Sequence, residues 1–267
     1  MTGETQTTTS ADGTTVAYQA YGAGPKIVIV GGATNRKEDG VELAQALADD
    51  GFTGVTYDRR GRGESGDTRP FAVEREVEDL VAVIEAASEG APAGVHSISS
   101  GGALAYRAAA AGAPIATLSA FETPYRVAGA PTPPADYTDH LQELYDADRR
   151  SDMLEYFMTA GVGQPQVAVD QMKQLPFWEG LAELGPTVLY DGLQLGGGQT
   201  PLPTELLRSI DVPVLSIAST GSPDWLRDAA SAAAETIPDA TFTVLEGDFH
   251  SAPVPVVAPV LAAHHRH

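Results

Sequence analysis

The amino-acid sequence predicts an α/β protein, a mostly parallel β-sheet with helices on both faces. Short β-rich apolar runs alternate with Ala/Leu-rich helical stretches over most of the chain. The clearest run, Ile27-Val28-Ile29-Val30, is apolar at every position, as a strand buried on both faces must be. At 267 residues the chain is long enough for one sizeable core with one insertion.

The elements follow in order. The run 27–30 ends in Gly31-Gly32, and residues 38–49 read as a helix with Val41, Leu43, Ala44 and Leu47 on one side and Gly51 as its stop. Val55-Thr56-Tyr57 is the next strand, followed by the glycine-punctuated loop Asp58-Arg59-Arg60-Gly61-Arg62-Gly63. Residues 73–87 form an amphipathic helix, with Val73, Val77, Leu80, Val81 and Ile84 on its apolar face. Residues 94–98 read as a strand, 101–111 as an alanine-rich helix that packs closely on the sheet, and 116–121 as a strand. The alternation resumes with a strand over 213–218, a helix over about 224–236, a strand over 242–245 and a final helix.

Between these halves the pattern breaks. Residues 124–208 open with a bend at Pro131, Pro133 and Pro134, then run through Met- and aromatic-bearing helical segments and the loop Gly196-Gly197-Gly198. This predicts a helical lid or cap (124–208) inserted in a core built from 1–123 and 209–267.

Charge is the unusual feature of the composition: 16 Lys+Arg against 36 Asp+Glu, a formal net charge of −20. Such a field repels phosphate backbones and anionic lipid, which argues against nucleic acid and membrane as partners, and solubility alone accounts for it as well; the partner expected from the chemistry below is a small-molecule substrate. With no cysteines, disulfides, thiolate metal sites and a cysteine nucleophile are excluded. The polar N-terminus carries no apolar signal segment, and no apolar run approaches the ~18 residues that span a bilayer, so the default expectation is a cytoplasmic protein. Oligomeric state leaves no trace in the sequence, and nothing in it calls for a cofactor or a metal.

The strongest chemical signal is Ser97-Ile98-Ser99-Ser100-Gly101-Gly102, at a strand-to-helix junction. A nucleophile on a sharp strand–turn–helix needs small residues two before and two after it, because the backbones crowd there. Ser99 has Ser97 and Gly101 at those positions; its rivals Ser97 and Ser100 do not have small residues on both sides at that spacing. The turn presents the Ser99 hydroxyl above the C-terminal edge of the sheet, where ligands bind in open α/β folds. The competing reading is a Ser/Gly-rich helix N-cap.

From about residue 14 onward the chain resembles the α/β-hydrolase fold family. Gly31-Gly32-Ala33 resembles that family's His-Gly-x loop after its third strand, with Gly31 in place of the histidine. Asp58-Arg59-Arg60-Gly61-Arg62-Gly63-Glu64-Ser65 resembles its D-x-R-G-x-G-x-S loop, and the Ser99 turn its nucleophile elbow. The resemblance implies an oxyanion hole formed by the backbone N–H groups of Ala33 and Ser100. It also places the general base in the loop after the last strand, where His250 stands. Imidazole suits that work, with an ordinary pKa of about 6.5. Of the other histidines, His264, His265 and His267 fall in the terminal tail, His140 in the insertion and His96 on a strand.

The acid has two candidates. Relatives usually carry it after the seventh strand, where this chain has Ser222, with Asp224 two residues late. A minority arrangement, found among haloalkane dehalogenases, carries it after the sixth strand, which here is Glu122. Glu122 is favoured, Asp224 is the alternative, and a relay without an acid is a third possibility. Around these, Gly32, Tyr156, Phe157 and Trp178 are expected to line the substrate pocket, with Met153, Met158, Met172 and Phe177 as further candidates; lid core packing accounts for the lid residues equally well. Arg36 is expected to contact a substrate carboxylate or to form a surface ion pair, and Arg59, Arg60 and Arg62 to make structural hydrogen bonds to carbonyls or to Asp58.

The chain is therefore expected to be a serine hydrolase acting on a carboxylic ester, lactone or thioester. Two other readings stand beside it: a non-hydrolytic acyltransferase, lyase or cyclase on the same scaffold, or a small-molecule-binding protein with little catalysis. Dehalogenase and epoxide-hydrolase chemistry is disfavoured, because both need an aspartate at position 99.

Overall fold

A computed structural model describes residues 3–198 and 201–266. Its eight strands form one sheet in the order β1-β2-β4-β3-β5-β6-β7-β8. They are β1 (Gln6–Thr9), β2 (Thr15–Gly22), β3 (Lys26–Val30), β4 (Thr53–Tyr57), β5 (Ala93–Ile98), β6 (Ile115–Phe121), β7 (Val214–Ser219) and β8 (Ala240–Leu245). From β4 to β8 every neighbouring pair is parallel; β1 and β2 are antiparallel additions at one edge. Those two edge strands carry no apolar run of their own in β1, whose Gln-Thr-Thr-Thr is largely exposed, which is why patterning passes over it.

Helices cover both faces. On one, α1 (Val41–Asp49) and α11 (Val254–His264) bring Leu43, Leu47 and Leu261 against Ile27, Ile29 and Leu215. On the other, α2 (Val73–Ser88), α3 (Ser100–Ala110) and α10 (Asp224–Thr236) bring Leu80, Ile84, Leu104 and Ala233 against Val28, Val55 and Val95. The expected helix 38–49 divides into a 3₁₀ turn, Lys37–Gly40, and α1.

Among the described residues, six α-helices lie between β6 and β7, besides a π-helical turn (Phe157–Gly161) and a 3₁₀ turn (Gly196–Gly198): α4 (Tyr137–Asp146), α5 (Arg150–Tyr156), α6 (Gln166–Met172), α7 (Phe177–Ala182), α8 (Thr187–Gln194) and α9 (Thr204–Arg208). They form two small cores of their own, one around Tyr137, Leu141, Met153 and Val188 and one around Leu154, Val169, Trp178 and Ala182. The end of this stretch differs: Leu202, Leu206 and Leu207 pack into the core beside the sheet.

The strand order reverses at β3, with β4 on one side and β5 on the other. At such a point the two outgoing loops diverge and leave a crevice at the C-terminal edge. Val30 pairs in register with Ser97, so the Gly31-Gly32 loop leaves the sheet beside the turn carrying Ser99.

His264 and His265 are not part of a solvated tail. His265 is buried, its Nδ1 2.6 Å from Thr117 Oγ1 and its Nε2 3.0 Å from Ser119 Oγ; Ser119 also lies 2.9 Å from His96 Nδ1. Nε2 of His264 is 2.9 Å from the carbonyl of Leu118. This polar seam docks the last helix on the sheet. His267 lies outside the described residues. Burial holds His96 at a pKa of about 3 and His265 well below the ordinary histidine value, so both are neutral near pH 7.

Candidate active site

Ser99 sits between β5 and α3 with φ 56° and ψ −127°, a conformation that L-residues seldom adopt. The crowding that required small neighbours is explicit. Ser97 is fully buried and its hydroxyl donates to the carbonyl of Ser119 at 3.1 Å. A Cβ on Gly101 would lie 2.6 Å from the carbonyl oxygen of Val30, and one on Gly32 2.9 Å from Cβ of Ser99. Ser99 N–H donates to the Phe121 carbonyl at 2.9 Å, tying the elbow to the end of β6.

Glu122 is the next residue. It is fully buried, and Oε2 lies 2.8 Å from His250 Nδ1. Ser219 N–H donates to Oε1 at 2.7 Å, and the Ser222 hydroxyl to Oε2 at 2.9 Å. Burial alone would raise this carboxyl, but His250, the Ser219 amide and the Ser222 hydroxyl hold it below the usual glutamate range. Ser222 Oγ also accepts from His250 N–H at 2.9 Å, so the serine at the place of the usual acid clasps both partners. Asp224, the alternative acid, points elsewhere: its side chain is 88% exposed and pairs with Arg227.

Backbone strain gathers here. Of the six described non-glycine residues with positive φ, three are Ser99, Glu122 and His250, and a fourth, Thr34, follows Ala33. Each such conformation costs on the order of 1–3 kcal/mol and persists where the surroundings over-determine it.

The loop after β4 explains its own composition. Asp58 accepts from Lys37 N–H at 2.8 Å, Lys37 Nζ at 3.0 Å and Glu64 N–H at 3.0 Å, while Ser65 Oγ donates to the Asp58 carbonyl at 2.6 Å. The three arginines bond to carbonyls, as expected, but their carboxylate partners are not Asp58. Arg59 grips Glu76 and Asp191, Arg60 grips Asp79 and Asp12, and Arg62 grips Asp191. Asp58 is already saturated by Lys37 and Glu64.

Ser99 and His250 both line a cavity of about 450 Å³, together with Gly32, Ala33 and Ser100. Its walls are largely apolar: Pro131, Phe157, Val162, Leu195, Trp225 and Phe249 among them, with Arg126 and Asp191 as charged members. Of the expected pocket residues, Gly32 and Phe157 are there. Trp178 is not; it is buried among Leu154, Val169 and Ala182 with Nε1 2.9 Å from Ser151 Oγ. Tyr156 stacks on Tyr137, ring centroids 5.5 Å apart, and Met153 is core. Met158 and Met172 pack on the Trp178 cluster, and Phe177 is half exposed. Arg36 Nη2 donates to the Gly180 carbonyl at 3.0 Å and pairs with Glu183 at 3.1 Å, the surface ion pair rather than a contact to the cavity. Of the lining residues the sequence did not mark, Phe249 and Trp225 carried a signal, one preceding His250 and the other opening the helix after β7.

The family described as "Alpha/beta hydrolase family" matches residues 27–260. The chain belongs to this family. An alpha/beta hydrolase from Sphaerobacter thermophilus DSM 20745 is 45% identical, with 97% of this chain and 99% of that one covered and a TM-score of 0.89. The same fold recurs in a thermophilic esterase from Thermogutta terrifontis (20% identity, 98% and 94% covered, TM-score 0.67) and in an esterase from Rhodococcus sp. ECU1013 (20%, 97% and 96%, 0.66). No curated protein matches this chain. Among the described residues of this hydrolase, no helix is long and apolar enough to cross a membrane, and no group of three or more His, Asp or Glu side chains is arranged to hold a metal.

Proposed function

We propose that this hydrolase cleaves a carboxylic ester, lactone or thioester of a small, largely apolar molecule through an acyl-enzyme on Ser99. The observation that carries this reading is the 2.8 Å contact between Glu122 and His250 Nδ1, with Ser99 and His250 on the wall of one cavity. A carboxylate at Nδ1 fixes the tautomer that leaves Nε2 free to accept a proton. The neighbours described as esterases share the scaffold and add to it.

The chemistry runs in two halves. Ser99 Oγ attacks the acyl carbon as His250 Nε2 takes its proton, and the oxyanion is received by the N–H groups of Ala33 and Ser100. Collapse expels the alcohol or thiol, which takes the proton from His250. Water then attacks the acyl-Ser99 carbonyl, giving its proton to His250, and collapse returns the acid and the free serine. A catalytically silent binder would be favoured by a serine at the usual acid position with no carboxylate on the histidine; Glu122 at His250 Nδ1 supports the enzyme instead.

A fluorophosphonate probe with peptide mass spectrometry tests the reading, alongside product analysis on p-nitrophenyl butyrate in excess water. Labelling at Ser99, free acid as product, and a loss of about 10³-fold or more in Ser99→Ala are expected. Full turnover by Ser99→Ala would overturn it.

A further inference from the structure

We infer that Asp191, on α8, is a positioning residue for both donors of the oxyanion hole, so that the helices between β6 and β7 take part in catalysis beyond shaping the pocket. This rests on the reading of Ser99 as nucleophile and of Ala33 and Ser100 as its donors.

The first donor is held through its peptide plane. Arg62 Nη1 donates to the Gly32 carbonyl at 2.5 Å. That carbonyl shares its planar trans peptide with the Ala33 N–H, and the two point in opposite directions. Gripping the oxygen from below therefore fixes where the N–H aims, and a charged donor on the oxygen polarises the same unit. Arg62 is itself oriented by Asp191, its Nη2 lying 2.9 Å from Oδ1 and 2.8 Å from Oδ2. The neighbouring Gly32 N–H is taken by Asn35 Oδ1 at 2.9 Å, which leaves Ala33 as the donor from this loop.

The second donor is held through its side chain. Ser100 Oγ donates to Asp191 Oδ1 at 2.7 Å. Arg59 Nη1 reaches the same oxygen at 2.7 Å and the Gly31 carbonyl at 3.3 Å. Asp191 thus joins the two loops at one carboxylate, although it stands far from both in sequence and on a different structural layer. It is buried with these partners, and both arginine heads lose a counter-charge when it goes.

A second buried ion pair from the same loop provides the contrast. Arg60 holds Asp79 at 2.7 and 2.8 Å, and its other bonds go to Asp12 and the Arg75 carbonyl, none of them in the hole. A merely structural role for Asp191 predicts that losing either carboxylate does the same thing.

The test compares Asp191→Ala, Asp191→Asn, Ser100→Ala and Asp79→Asn for kcat and KM on p-nitrophenyl butyrate, for the rate of fluorophosphonate labelling at Ser99, and for Tm. Asp191→Ala is expected to lower kcat and the labelling rate about 100-fold with KM within about threefold, since the loss of a hole donor costs 10²–10³ in kcat. Asp191→Asn, which keeps an acceptor oxygen, should recover part of this, and Asp79→Asn should lower Tm with kcat within about twofold. An Asp191→Ala enzyme with wild-type kcat and only a lowered Tm overturns the inference. Should that variant not fold, Ser100→Ala decides: a fall of about fivefold in kcat supports the inference, and an unchanged kcat overturns it. A wild type that the probe does not label at Ser99 instead sinks the reading beneath it, a result separate from any of these.

Discussion

Glu122 Oε2 and His250 Nδ1 lie 2.8 Å apart across 128 residues of chain, and the Ser222 hydroxyl bonds to the same carboxylate oxygen. The position that relatives use for the acid thus holds a serine that bonds to a carboxylate arriving from the neighbouring strand. Both positions follow adjacent parallel strands, β6 and β7, so either end reaches the same imidazole.

Glu122→Gln keeps the shape of the side chain but removes the charge and the tautomer control. A fall in kcat of about 10³–10⁴-fold is expected, against a change within about twofold for Asp224→Asn, whose side chain faces solvent. Steady-state kinetics on one chromogenic ester checks both; the reverse ranking would move the acid to Asp224.

Ser222→Ala removes a donor to a buried carboxylate and an acceptor for the His250 N–H. Hydrogen bonds to charged groups contribute about 1.5–3 kcal/mol, so kcat/KM should drop about tenfold or more. Full activity in this variant would show that Ser219 N–H and His250 suffice to hold Glu122.

Phe157→Ala and Trp178→Ala should separate pocket from packing. Phe157 lines the cavity, and its loss is expected to lower kcat/KM about tenfold for bulky acyl esters while leaving acetate esters close to wild type. Trp178 is buried between inserted helices, so its truncation should cost about 3–5 kcal/mol in denaturant unfolding, with KM nearly unchanged in the folded enzyme.

Acid should destabilise the fold through the histidine seam. His96 has its folded pKa depressed to about 3, so below about pH 6.5 the unfolded chain takes up a proton that the folded chain does not. Stability is then full above pH 6.5 and falls steadily as pH drops toward 3. From pH 7 to pH 5 the loss from His96 is about 2 kcal/mol, and His265 adds to it in the same direction. Urea unfolding at the two pH values measures this, and His96→Asn should flatten the difference by about that amount.

The parallel sheet, the helices on both faces, the sharp turn at Ser99 and His250 as the candidate base were all legible in the string. These depend on local rules: strands buried on both faces read as unbroken apolar runs, and a sharp turn demands small residues at fixed offsets. Sequence favoured Glu122 over Asp224 but left Asp224 open, since which carboxylate meets the imidazole turns on which strand end faces it. The edge strand β1, exposed and polar, gives no periodic signal. Trp178 and Phe157 look alike as aromatic residues on inserted helices; whether one faces a cavity and the other a helix partner is set by how those helices are turned against each other.

Asp191 marks the limit most clearly. It is one acidic residue in a chain with 36 of them, and nothing in its neighbours distinguishes it. Its place beside Ser100 and the Gly31-Gly32 loop comes from α8 meeting the loop after β4, where burying Arg59 and Arg62 requires a counter-charge. Sequence by itself determined which groups are candidates for the chemistry here, because reactivity and turn sterics belong to residue types and short spacings. Only the tertiary structure decided what holds those groups in place, because a buried charge selects its partner by proximity in space.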